Sequence, residues 1–354
     1  MTVSYHRNIT VTAAFATLLM LAIAPSCSKS TVQGPGIDGQ AHTSELLVDA
    51  AIDSGDDKES KAAITNTYFS NGQTIGMFIV RHDRPGEYVP HAYGMDNLRA
   101  VSGGSNKWTY NFSDNLGTSV DVLAISSVAK TNADIYAYSP WILGTTSPEK
   151  ILYESSSQGD LMYAEENGDG RNKNICPDEL DEQDVPLRFH HALSIIRIGV
   201  RLANSGYVNP TLSSIRISRS SETVETKLWS QARFNSLTGE FIEDSRREMQ
   251  YIDISAGKTI NSTTNYIYFD CLVIPTEVKN DGDLQIELTV NSQPLLEKYE
   301  IKLADVLSSD GKKGFQPGYS YTLLFTIDNY LRFRPNYIYV SEEWIDEDLG
   351  EQYI

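Results

Sequence analysis

The sequence predicts an all-β protein built from two tandem β-sandwich domains. Three observations carry that reading. Tyr, Thr, Ser, Ile and Val are abundant, with 20 Tyr alone, and such side chains suit a pleated, half-buried surface. Clusters of Gly, Asn, Asp and Ser recur between short apolar stretches, as turns recur between strands. The chain of 354 residues is long enough for two domains of ordinary size.

Residues 1–26 read as an export signal. His6 and Arg7 supply the only early basic groups, an apolar run follows from Ala13 to Ala24, and Pro25-Ser26 precede Cys27. A weakly positive start, an apolar core and small residues form the layout of a signal peptide. The apolar core is shorter than the ~20 residues that a membrane-crossing helix needs. A thiol directly after the small residues predicts lipidation of Cys27 and hence a lipoprotein. Ala24 stands where bacterial lipoprotein signals usually carry Leu. A plain secretory signal, with Cys27 incidental, is the alternative. Residues 27–44 are polar and contain Gln33-Gly34-Pro35-Gly36, a flexible tether.

The N-terminal domain is expected over residues 45–187. Leu46, Val48, Ala50 and Ile52 alternate with Leu47, Asp49 and Ala51 as one short strand. The charged loop Asp53–Lys61 follows it. Further strand signals lie at Ile75–Val80, Trp108–Phe112, Val120–Ile125 and Ile135–Tyr138. Ser147-Pro148-Glu149-Lys150 predicts one short helix, with Ser as cap and Pro in the first turn. The acidic stretch Asp178–Asp184 marks the approach to the boundary. The C-terminal domain is expected over residues 188–354, where alternation is cleaner. Ile196, Ile198, Val200 and Leu202 form one apolar face. Leu284, Ile286, Leu288 and Val290 form another, and Tyr321, Leu323, Phe325 and Ile327 a third.

Composition excludes several functions. A net charge of -18 argues against nucleic acid as a partner. Besides Cys27, the only cysteines are Cys176 and Cys271; they pair in an oxidising compartment or stay as buried thiols, and two cysteines make no disulfide framework. No catalytic constellation stands out. No G-x-S-x-G elbow, phosphate-binding loop or H-E-x-x-H helix occurs. His190 and His191 are adjacent, so on a strand they point to opposite faces and cannot readily share a metal. Glu165-Glu166-Asn167-Gly168-Asp169-Gly170 resembles the front of a calcium loop. Its twelfth position, however, is Cys176 where a bidentate Glu is needed. No catalytic residue, cofactor or metal is therefore expected. Trp108, Trp141, Trp229 and Trp344 suit either sugar stacking or core packing.

Several stretches taken in order resemble the fimbrillin family of Bacteroidales, the subunits of lipoprotein-derived pili. Lys61-Ala62-Ala63-Ile64 is similar to the family's basic-Ala-Ala start. Phe69 to Phe78 is similar to its F-x-x-G-D-x-I-G strand, with Gln73 in place of Asp. Ala137-Tyr138-Ser139-Pro140-Trp141, Asp160 to Ala164, Phe189-His190-His191-Ala192-Leu193-Ser194, Phe315 to Tyr321 and Val340 to Trp344 continue the series. The resemblance implies transthyretin-like sandwiches and assembly by strand exchange with other fimbrillin-like subunits, in a pilus that supports cell adhesion. It implies a lipid anchor in the outer membrane and a trypsin-like maturation protease, with Lys61 and Lys58 as processing positions. Cleavage there detaches the first strand, Leu46, Val48, Ala50 and Ile52. Replacing four such side chains contributes roughly 6–12 kcal/mol before ordering costs. The candidate donor strand is Tyr337, Ile338, Tyr339 and Val340. Two other functions compete: a monomeric surface lipoprotein that binds glycan or protein ligands, and, ranked lowest, an exported hydrolase.

Overall fold

The computed structural model describes residues 48–52, 67–82, 97–103, 108–111, 133–165, 185–204, 210–295, 297–308, 311–328 and 333–341. All belong to one compact unit, residues 39–354. The strands run β1 (Val48–Ile52), β2 (Thr67–Tyr68), β3 (Thr74–Arg81), β4 (Leu98–Ser102), β5 (Trp108–Asn111), β6 (Ala133–Ser139), β7 (Ile151–Glu154), β8 (Met162–Glu165) and β9 (Val185–His191). They continue as β10 (Ser194–Leu202), β11 (Thr211–Arg219), β12 (Leu228–Asn235), β13 (Glu240–Met249), β14 (Tyr251–Thr259) and β15 (Ile267–Val273). The last are β16 (Leu284–Val290), β17 (Gln293–Pro294), β18 (Tyr299–Glu300), β19 (Ser320–Ile327) and β20 (Phe333–Ser341). Among the described residues the only helical turns are 3-10 turns at Ser155–Ser157 and Leu303–Val306. The protein is all-β, as its composition predicts.

An eight-stranded sheet has the order β2-β1-β9-β8-β6-β3-β4-β5, and a four-stranded sheet has the order β15-β10-β19-β20. A five-stranded sheet runs β14-β11-β16-β17 with β18 also on β16, and β13-β12-β7 make a fourth. The alternating residues of the C-terminal half become its core. Ile196, Ile198 and Val200 of β10 and Leu323 and Phe325 of β19 pack with Ile215 and Ile217 of β11 and Ile286 and Leu288 of β16. Period-2 patterning places each apolar face inward, where a fully buried Leu or Ile contributes about 1.5–3 kcal/mol.

A second cluster joins Phe78, Tyr136 and Tyr138 to Ile151 and Tyr153 of β7, Phe234 of β12 and Phe241 of β13. It forms because β7 pairs antiparallel with β12, Ile151 facing Phe234 and Tyr153 facing Ala232. One strand from before residue 187 thus completes a sheet whose other strands come after it.

The expected helix at Ser147 is corrected. Ser147 Oγ accepts the Glu149 N–H at 3.2 Å and its carbonyl accepts the Lys150 N–H at 3.2 Å, closing a turn. The chain then enters β7, where Ile151 and Tyr153 are buried and Leu152 and Glu154 exposed. The two-residue period of Ile-Leu-Tyr-Glu overrides the capping signal. The strand expected at Val120–Ile125 lies outside the described residues.

Candidate functional site

The first strand is built into the eight-stranded sheet. β1 lies between β2 and β9. It runs parallel to β9, with Val48, Ala50 and Ile52 in register with Val185, Leu187 and Phe189. Its antiparallel contact with β2 is short, Ala51 opposite Tyr68 and Ile52 opposite Thr67. Leu187 and Phe189 are fully buried, and the Phe69 ring meets Phe189 edge-on at 4.9 Å. A parallel pair needs a long crossover connection, so β1 reaches its place from one end of the chain without a tight turn onto β9. Lys58 and Lys61 fall in sequence between β1 and β2. They lie outside the described residues, as do Cys27 and Leu46.

The candidate donor segment occupies a sheet edge. β20 pairs antiparallel with β19, Tyr337 opposite Leu324, Ile338 opposite Leu323, Tyr339 opposite Thr322 and Val340 opposite Tyr321. Ile338 and Val340 pack partly buried against the C-terminal core. Pro335 sits exposed where the register shifts between Leu324 and Phe325. That position suits a residue with no N–H to donate. β1 and β20 belong to different sheets, so the two segments named from the sequence are not neighbours in any ladder.

The motif residues between them serve packing. Tyr138 donates its hydroxyl hydrogen to Asn97 Oδ1 at 2.7 Å and accepts the Ile142 N–H at 3.1 Å. Burial raises its pKa. Gly76 faces this ring across the β3–β6 ladder, and a Cβ there would collide with Tyr138 and with Asn97 Oδ1. Ser139 Oγ donates to the Thr74 carbonyl at 3.0 Å, and Trp141 Nε1 donates to the Asn97 carbonyl at 3.1 Å. Arg99 lies over the Trp141 ring at 5.0 Å, and Arg246 over Trp229 at 5.4 Å. Both indoles are therefore held by neighbours within the fold.

His190 and His191 close β9. His190 tilts against Tyr163 with ring centres 6.0 Å apart, whereas His191 is buried with Nδ1 2.9 Å from Asp160 Oδ2. Among the described residues no group of three His, Cys, Asp or Glu side chains is placed to hold a metal. Cys271 is a free, buried thiol, and burial pushes its pKa up to about 12. Cys176 and the calcium-like stretch after Glu165 lie outside the described residues. The sequence reading missed the pair Lys312-Lys313, which with Arg246 lines a cleft. The available signal was two adjacent lysines between Gly311 and Gly314 in a strongly acidic chain.

Residues 61–340 match the model of a family described as fimbrillin-like. Among solved structures, a proposed cell adhesion protein from Bacteroides ovatus superposes with a TM-score of 0.50 at 14% identity, covering 84% of this chain and 97% of that one. Another, from Bacteroides uniformis, gives 0.48 at 14% identity, with 84% and 98% covered. A fimbrial protein from Bacteroides vulgatus gives 0.42 at 13% identity, with 84% and 99% covered. At 14% identity the likeness to the Bacteroides ovatus protein speaks for architecture alone. No curated protein matches the chain. The family match spans most of the sequence, from Lys61 at the end of the charged loop to the last ladder of the fold, and the chain belongs to the fimbrillin-like family.

Proposed function

We propose that this protein is a structural pilus subunit or pilus-associated lipoprotein that supports adhesion and assembles by proteolysis-triggered strand exchange. Membership of the fimbrillin-like family supports a surface, non-catalytic role. One observation carries the assembly step: a five-residue strand inserted in parallel beside β9 and tied on its other side only to the two-residue β2. Cleavage after Lys61, or after Lys58, cuts the covalent link between β1 and the rest of the chain. Once β1 leaves, β9 presents a row of unpaired backbone groups beside the buried Leu187 and Phe189. A strand from a neighbouring subunit restores both the hydrogen bonds and the apolar cover. Tyr337, Ile338, Tyr339 and Val340 supply it, since among the described residues their edge strand β20 has to leave one partner only, β19. The chain divides for this purpose near residue 187, the N-terminal part holding the acceptor groove and the C-terminal part the donor.

In this reading Cys27 carries the lipid that brings the precursor to the outer membrane, and a trypsin-like protease matures it there. The N-terminus of surface material from the producing bacterium tests the scheme. Mass spectrometry is expected to find chains beginning at Ala62. Assembled chains that begin at lipidated Cys27 and still contain β1 would overturn the processing step.

A further inference from the structure

We propose that the cleft between the β12–β13 turn and the prolines Pro275 and Pro317 binds a neutral saccharide through Asn235, Glu240, Glu243 and Arg246. All four residues line this cleft, whose volume is about 590 Å3, within the ~300–1,000 Å3 of small-ligand pockets. An irregular strand shapes it. In the β12–β13 ladder Gln231 faces Arg247, but Arg233 faces Ile242. Residues 243–246 therefore stand opposite Ala232 alone, as a bulge. Ser245 pins it: its Oγ accepts the Arg233 N–H at 2.8 Å and donates to the Ile242 carbonyl at 2.6 Å. A bulge re-aims side chains away from the regular ladder. Here it brings Glu243 and Arg246 to the cleft, 3.4 Å apart. The Arg246 guanidinium is steadied over the Trp229 ring at 5.4 Å.

The neighbouring turn is equally fixed. Ser236 donates its N–H and its hydroxyl hydrogen to the Pro148 carbonyl at 2.8 and 3.0 Å. Gly239 has φ +71°, and a Cβ there would strike the Tyr163 ring. Asn235 Oδ1 accepts the Leu237 N–H at 2.9 Å, which leaves the amide NH2 as a donor on the cleft wall. Another part of the wall is apolar, with Pro275 half-buried and Pro317 exposed. Backbone bonds beside both prolines hold them. Thr276 and Phe315 exchange N–H···O bonds of 3.0 and 2.8 Å, and the Gly318 N–H donates to the Leu193 carbonyl at 2.8 Å. Little ordering is left for a ligand to impose.

The mixture of groups selects the ligand. An anion meets two carboxylates against one guanidinium, and a cation meets that guanidinium. Sugar hydroxyls donate and accept at once. They give hydrogen bonds to Glu240 and Glu243 and take them from Asn235 and Arg246, while the C–H faces of the ring cover the prolines. This ligand class gives the adhesive role proposed above a chemical target, and its use in adhesion rests on that reading. Binding by the uncut chain does not.

The test uses the full, uncut chain and saturation-transfer NMR with maltose, cellobiose, lactose and mannobiose, each at millimolar concentration. Sialyllactose is the anionic comparison. At least one neutral disaccharide is expected to bind, and more tightly than sialyllactose. Glu240→Ala with Glu243→Ala is expected to weaken that binding roughly tenfold, with the urea midpoint unchanged. Both residues are exposed, so the folded core is left intact. Thr238→Trp, at an exposed position of the cleft wall, fills the space and is expected to abolish binding. Silence from all four disaccharides, preference for sialyllactose, or binding that either variant leaves at full strength would overturn the proposal. Strand exchange plays no part in these spectra. Failure of assembly leaves them unchanged, and failure of binding leaves assembly to be judged on its own.

Discussion

The Tyr138 hydroxyl shows how one residue of a sequence motif turns into structure. It bridges Asn97 on one side and the Ile142 N–H on the other, inside a corner that Gly76 keeps open. Tyr138→Phe keeps the ring and removes the bridge, leaving buried polar groups short of a partner. The expected loss is about 1–3 kcal/mol, read from the urea midpoint at unchanged slope. Cys271 makes a second residue-scale prediction. Its thiol is held protonated by burial, its pKa raised from 9.0 to about 12. A raised folded-state pKa contributes stability that is fully present below pH 9 and is lost as the pH rises towards 12. Native protein at pH 8 is therefore expected to resist thiol alkylation, and unfolded protein to react at once. Rapid labelling of the native thiol would contradict the burial seen here.

At the scale of elements, legibility followed the contrast between the two faces of each strand. Leu284–Val290 alternates cleanly in sequence and its burial alternates in step. β13 was invisible beforehand because both its faces are polar; Phe241 is its only buried residue. β1 was legible as a strand from its own alternation. Its parallel place beside β9 was not, because no local feature encodes which distant strand will flank it. β20 was likewise readable as an apolar segment, while its edge position depends on β19. Ile338, half-buried opposite Leu323, is the natural probe of that edge. Ile338→Ala is expected to cost about 1–2 kcal/mol, below the range for a fully buried Ile. It should also speed hydrogen exchange in β20 well before β10 is affected. Equal acceleration throughout the four-stranded sheet would show that β20 is not a separable edge.

For the whole molecule, the proposed assembly makes the completeness of the subunit conditional on its first strand. In the proposed scheme β1 stays in the eight-stranded sheet only until the chain is cut after Lys58 or Lys61. The most direct measurement is limited trypsin treatment of the purified full chain, followed by electrophoresis in SDS without boiling. Trimming after Lys58 or Lys61 is expected to yield a chain beginning near Ala62 and a ladder of SDS-resistant multimers. Lys58→Ala with Lys61→Ala should remain monomeric under the same treatment. A trimmed chain that stays monomeric, or loses its fold once β1 departs, would contradict strand exchange.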